Sequence, residues 1–122
     1  MNLLLDSHTL LWWDENKLSA RLVSRISQAD LVFVSAATVW ELAIKGMRPR
    51  NVGQRGFAGF VASRGFNELP ISFEHAEAVR QLPNHHRDPF DRLLIAQAFV
   101  EGLTLVSKDG RFADYGVKLL WE

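Results

Sequence analysis

The sequence predicts an α/β domain with a mostly parallel sheet covered by helices on both faces. Short, almost wholly apolar runs bounded by polar residues, at Asn2–Asp6, Leu31–Val34 and Leu103–Ser107, read as buried strands. The segments between them are longer, amphipathic or apolar, and carry clear helix start and stop residues. A third observation is positional. Asp6 ends the first run and Asp109 follows the third, at the strand ends where open α/β sheets bind their ligands.

In chain order, Asn2–Asp6 delivers Asp6 to a strand end, and Ser7-His8-Thr9 leads into a short helix through Leu10, Leu11, Trp12 and Trp13. Ser19 caps an amphipathic helix with Ala20, Leu22, Val23 and Ile26 inward and Arg21, Ser24, Arg25 and Gln28 outward. Leu31–Val34 is the second buried strand, and Ser35 caps the helix AATVWELAIKGM, which Gly46 stops. Arg48–Gly56, RPRNVGQRG, is polar, basic and rich in breakers, the most loop-like stretch of the chain. Phe57–Phe66 reads as a helix with Phe57, Phe60 and Val61 on one side, and Leu69–Ile71 as a short strand. Ser72 caps a helix to Gln81 whose apolar side is Ala76, Ala78, Val79 and Leu82.

After the loop Asn84-His85-His86, HRDPFDRLLIAQA opens the best-defined helix. Asp88 is its N-cap, Pro89 suits the first helical position, and Asp91 can reach back to the cap's amide. Leu93, Leu94, Ile95, Ala96, Ala98 and Phe99 make the continuation apolar almost all round, which predicts burial. Gly102 closes it, Leu103–Ser107 is the third buried strand, Lys108-Asp109-Gly110 a turn, and Val117–Trp121 a final strand.

A chain of 122 residues makes one domain, residues 1–122, with core enough to fold without staples. With no cysteine there is neither a disulfide framework nor a thiolate metal site. The apolar runs are too short to span a bilayer, and MNLLLDSHTLLWW lacks a basic leader and a cleavage site, so a cytoplasmic location is expected. Lys plus Arg, 14, equal Asp plus Glu, 14, which excludes nucleic-acid binding by bulk charge and leaves local patches or metal ions. Four tryptophans and eight phenylalanines exceed a minimal core, so some are expected at an interface.

Topology maps Asp6, Asp91 and Asp109 to one sheet edge. Glu41 is the fourth acid, near the first turns of a mainly apolar helix. An exposed pair with Lys45 at i+4 would contribute about 0.3 kcal/mol. Its neighbours Trp40 and Leu42, however, leave that segment little polar face, and an acid there needs a partner. Four converging carboxylates repel one another, raising pKa values or splaying the edge unless cations neutralise them. With no cysteine and no histidines spaced as zinc ligands, an all-oxygen set predicts Mg²⁺ or Mn²⁺. The chemistry such a site implies is phosphodiester hydrolysis.

Asp6 at the first strand end, Trp40-Glu41-Leu42 on the helix after the second, HRDPFDRLLIAQA, and LVSKDGRF with Asp109 together resemble a PIN domain, in order and over nearly the whole chain. Within that family the sequence is most similar to the short bacterial VapC-type toxins, metal-dependent ribonucleases held inactive by a cognate antitoxin. The resemblance implies a three-layer fold with a four- or five-stranded parallel sheet, and metal-ligand and catalytic roles for Asp6, Glu41, Asp91 and Asp109. It also implies an RNA substrate, a homodimer, and an antitoxin segment lying in a groove near the active site. It leaves Asp88 with the capping role and as second choice to Asp91. Asp114 is second choice for the last acidic position.

Ser7 and Thr9 either orient Asp6 or serve only as turn formers. Arg92, Lys108 and Arg111 beside the acids, and Arg48, Arg50 and Arg55 in the basic loop, are candidate phosphate contacts, against plainer readings as ion pairs and a solvated connector. Adjacent His85 and His86 point in different directions and lack matching ligands, which excludes zinc. His8 is expected at the rim. Trp12, Trp13, Phe57 and Phe60 read first as core or dimer surface, and second as antitoxin groove. A haloacid-dehalogenase-type phosphatase also begins with a strand-end Asp, but it requires a second Asp where this chain has His8. The rival from another class is a weak or silent PIN-fold module that acts by binding RNA or a protein partner.

Overall fold

Strand pairing follows the apolar runs. In the computed structural model, which describes residues 1–50, 56–85 and 87–122, β1 (Asn2–Leu5), β2 (Leu31–Ser35), β3 (Asn67–Leu69), β4 (Thr104–Val106) and β5 (Leu119–Leu120) form one sheet. Its order is β3-β2-β1-β4-β5, and every pairing is parallel. β1 is central, aligning Leu5 with Val34 on one side and Val106 on the other. Leu3, Leu4 and Leu5 are fully buried because both faces are covered.

The covering helices are α1 (Ser7–Asp14), α2 (Ala20–Ser27), α3 (Ala36–Ile44), α4 (Phe57–Ser63), α5 (Phe73–Ala78) and α6 (Pro89–Glu101). The strand period of two splits β1 between two cores. Leu3 and Leu5 join Leu10, Leu22, Ile26, Leu42, Phe57 and Phe60 on one face. Leu4 joins Leu94, Ile95, Ala98, Phe112 and Tyr115 on the other. The chain steps from β1 outward to β2 and β3, then returns to place β4 on the opposite flank of β1. The carboxyl ends of β1 and β4 therefore flank a topological switch point, the place where open α/β sheets form ligand crevices.

Four expectations need correction. The third strand is Asn67–Leu69, two residues earlier than Leu69–Ile71, because Phe66 ends the preceding turn and Phe33, Val34 and Ser35 pair with Asn67, Glu68 and Leu69. The Ser72-capped helix turns inward on His75, not Ala76: His75 is 2% exposed, closes a capping box with Ser72 and bonds Glu101 at 2.8 Å, while Ala76 stays exposed. A polar residue thus occupies the buried position that an apolar periodicity reading assigned to its neighbour. The helix after Ser19 leaves Ala20 exposed at its first turn. The final strand is only Leu119–Leu120. Among the described residues, no helix is long and apolar enough to cross a membrane.

Candidate functional site

Each acid is delivered by a different element to the carboxyl edge of the sheet. Asp6 follows β1 and caps α1, its Oδ1 accepting the Thr9 N–H at 2.8 Å. The Thr9 hydroxyl donates to the Val106 carbonyl at 3.0 Å, and the Asp6 N–H to the same carbonyl at 3.2 Å. These bonds lock the start of α1 to the end of β4. Asp6, Ser7 and Thr9 are all buried, so the geometry around the first acid is set by packing as well as by hydrogen bonds.

Glu41 lies on the second turn of α3 and is 7% exposed. One carboxylate oxygen accepts the Ser7 hydroxyl, and the other accepts the Lys45 ammonium at 3.0 Å. Glu41 holds that ammonium above its ordinary pKa, and the fields of Asp88 and Asp91 add to the effect. Both readings of Glu41 from the sequence are thus half true: the Lys45 pair exists, but the acid within it is buried. Asp109 follows β4 and caps the 3-10 turn Gly110–Tyr115, accepting the Arg111 N–H at 3.0 Å. The Arg111 guanidinium also holds its carboxylate through two nitrogens, the shortest contact being 2.7 Å. Asp109 raises the Arg111 pKa in turn.

Asp88 and Asp91 divide their work at the head of α6. Asp88 Oδ1 accepts the N–H groups of Phe90 and Asp91 at 2.9 and 3.3 Å, so it is the N-cap. Asp91, one turn in, is pushed up to about 7 by burial and by the charges of Asp88, Glu41, Asp6 and Asp109, in that order. The fields of all four acids therefore meet at one carboxyl. Asp114 is exposed within the 3-10 turn and is not one of the four acids that chiefly raise Asp91. Ser107, buried and accepting the Asp109 N–H at 3.0 Å, shapes the turn that presents Asp109. The Ser-x-Asp spacing at a strand end was the signal that could have marked it.

The donor set suits a hard divalent cation: carboxylate oxygens only, on rigid elements, in a field negative enough to keep Asp91 protonated to near neutrality. Among the described residues, no three carboxylates or imidazoles are grouped tightly enough to hold one ion at once. Glu41 instead pairs with Lys45 and Ser7, Asp109 with Arg111, and Asp88 with its own cap.

The expected phosphate contacts fare unequally. Lys108 and Arg111 are exposed beside Asp109. Arg92 does not face the acids: its guanidinium donates to the carbonyls of Pro83, Val79 and Leu82 at 2.9, 3.3 and 3.4 Å, tying α6 to the segment that follows α5. Arg92→Ala is expected to destabilise the fold by about 1–3 kcal/mol in chemical denaturation, since three carbonyls lose a charged donor. Arg50 is also placed elsewhere. Its guanidinium pairs with Glu15 at 3.4 Å and its N–H with Asp14 at 2.8 Å, at the opposite end of α1 from Asp6. Arg48 is exposed; Arg55 and His86 lie outside the described residues. The His85 ring packs on Tyr115. Phe57 and Phe60 are core, and Trp13 packs on Phe66.

The whole backbone is similar to solved chains of toxin–antitoxin complexes. A chain of the VapBC2 complex from Rickettsia felis, bound to a DNA fragment from its promoter, matches with a TM-score of 0.78 at 14% identity, covering 100% of both chains. A chain of VapBC-1 from nontypeable Haemophilus influenzae matches at 0.73 and 17% identity, covering 98% of this chain and 97% of that one. A chain of FitAcB from Neisseria gonorrhoeae matches at 0.71 and 20% identity, covering 98% and 96%. None of the curated proteins matches this sequence. The PIN domain model matches residues 3–118, almost the full length, and the chain belongs to the PIN domain family.

Proposed function

We propose that this chain is a divalent-metal-dependent endoribonuclease, the toxin of a toxin–antitoxin pair acting in the cytoplasm. The observation that carries the reading is the placement of Asp6, Glu41, Asp91 and Asp109, each on a different element, at the switch point of a parallel sheet, where burial and the neighbouring charges push the Asp91 carboxyl up to about 7. Asp6, Glu41, Asp91 and Asp109 would hold Mg²⁺ or Mn²⁺. A bound ion of that kind supplies neutralisation of phosphate charge and acidification of water.

The chain's own residues do the positioning. The Thr9 N–H fixes Asp6, the Ser7 hydroxyl fixes Glu41, and the Ser107 turn presents Asp109. With a carboxyl near 7, Asp91 releases its proton within the working pH range. Lys108 and Arg111 supply positive charge at the rim for RNA phosphates.

Two surfaces support the protein partners of this reading. Trp40, 59% exposed, and Ile44, 61% exposed, crop out beside Glu41, and Trp40 meets the Phe90 ring at 5.2 Å next to Asp91. A homodimer covering that apolar patch would set two acid clusters side by side. Between α3 and α4, a mainly apolar hollow of about 250 Å³ lined by Val39, Ala58, Val61, Ala62 and Phe66, with Glu68 also on its wall, suits an antitoxin side chain. The neighbours' complexes with antitoxins agree with such a partner.

Purified protein should cleave structured RNA with millimolar Mg²⁺ or Mn²⁺ and stop on addition of chelator. Its expression should arrest growth, whereas the Asp91→Asn variant should be harmless. Cleavage that persists in chelator overturns the mechanism. A second reading, a silent module that only binds, is favoured by one observation: Glu41 and Asp109 are engaged by Lys45 and Arg111. RNA binding without cleavage or toxicity would select it.

A further inference from the structure

The residues beside two of the acids build a second feature. His8, two residues after Asp6, and Lys108, immediately before Asp109, are both exposed, and both meet Trp12. The His8 ring lies 5.7 Å from the Trp12 ring with 39° between the planes, and the Lys108 Nζ lies 5.9 Å from its centroid. Trp121 approaches edge-on at 5.7 Å and 63°. Helix geometry explains the selection. His8 and Trp12 are four residues apart on α1 and share a face, whereas Leu11 and Trp13 pack against the core. Trp12 is thus set among an imidazole, an ammonium and an indole at the rim of the acid cluster.

We propose that His8, Trp12 and Lys108 form a nucleobase subsite, in which an unpaired base of single-stranded RNA stacks on the His8–Trp12 pair while Lys108 contacts the adjacent phosphate. The inference rests on the nuclease reading and adds a determinant of what that site accepts. Every base has a π-face, so aromatic side chains hold single strands with little sequence preference, and arginine or lysine reinforces them. A paired base keeps its faces in the helical stack and cannot enter. Six residues separate Asp6 from Trp12, about 9 Å along a helix axis, a distance that about one or two nucleotides bridge. A buried core tryptophan would show neither the exposed histidine nor the lysine cation.

The test is binding of a fluorescein-labelled single-stranded RNA decamer, followed by anisotropy in EDTA so that no cleavage intervenes. His8→Ala and Trp12→Leu should each weaken binding about tenfold without changing its salt dependence. Lys108→Gln should reduce the slope of log K against log salt by about 0.7. A decamer of abasic ribose phosphates should bind wild-type protein about as weakly as the intact RNA binds Trp12→Leu. His8 is exposed, so its variant tests the subsite even if Trp12→Leu unfolds. Equal affinity of His8→Ala and wild type, equal affinity for abasic and intact RNA, or no binding by wild type overturns the subsite. Failure of wild type to cleave with Mn²⁺ counts instead against the nuclease reading, because the binding assay is independent of cleavage.

Discussion

Asp91→Asn is expected to reduce RNA cleavage by about 10²–10³-fold and, in the same molecule, to raise the thermal midpoint of metal-free protein near neutral pH. The two effects share one cause. The carboxyl sits where the charges of Asp88, Glu41, Asp6 and Asp109 add to the cost of burial, lifting it from 3.8 to about 7. The sign follows from linkage. Between those two values the folded protein keeps a proton that the unfolded chain has released, so stability falls as pH rises through the window, and the full cost is present above about pH 7. Each pKa unit is worth about 1.4 kcal/mol in a fully shielded site. Solvent screening at this half-buried position reduces the total to about 1–2 kcal/mol.

The variant keeps the shape and loses the charge, so its midpoint in EDTA at pH 8 should exceed that of wild type by about 4–8 °C. At pH 4, where Asp91 is protonated in the folded state, the two midpoints should converge. Calorimetry across that range checks both statements. A variant that melts with wild type at every pH would show that the acids do not converge on Asp91. A variant that still cleaves while Asp88→Asn does not would transfer the chemical role to the cap.

The acids were legible in the sequence because their types and order are written there, and because the strand-end rule places them. Asp6 and Asp109 needed only the reading of β1 and β4 as strands of one parallel sheet; the structure makes the two strands neighbours. Helix geometry made Asp88 the N-cap, which the bonds to the Phe90 and Asp91 amides show, while the choice of Asp91 over Asp88 as the metal-site acid came from the family resemblance. What the sequence could not disclose were the partners of long side chains. Arg92 stands next to Asp91 in the chain, yet helix direction carries its guanidinium to the carbonyls beyond α5. Arg50 belongs to a basic loop but is drawn to Glu15. His75 shows the same limit in the core: beyond its local capping box with Ser72, a polar residue is buried against Glu101 and Gln97, which tertiary packing that periodicity does not encode brings to it. The rim cluster of His8, Trp12, Lys108 and Trp121 joins three separate stretches of chain, and only folding makes it a unit.

Millimolar Mn²⁺ or Mg²⁺ is expected to stabilise the wild type, and the stabilisation should grow as pH rises from 5 to 8. A ligand that binds only the folded state adds RT ln(1 + [L]/Kd), about 2.7 kcal/mol at a hundredfold excess over Kd. Here the gain is larger than for an ordinary surface site, because the ion also cancels the repulsion that Asp91 suffers. Binding competes with protons at Asp91, so the apparent affinity should fall roughly tenfold per pH unit below about 7. It also competes with internal cations, since Glu41 must leave Lys45 and Asp109 must leave Arg111. Those two ion pairs are partly exposed and individually weak, so a divalent charge outweighs them. Thermal shift against Mn²⁺ concentration, at several pH values, measures all three contributions. Asp91→Asn should lose most of the metal-dependent shift, whereas Asp114→Asn, which is exposed and not one of the acids that chiefly raise Asp91, should retain it. If wild type and Asp91→Asn shift equally, or neither shifts at pH 8, the carboxylates do not hold the ion, and the two internal ion pairs rather than a metal are what balance the acidic edge.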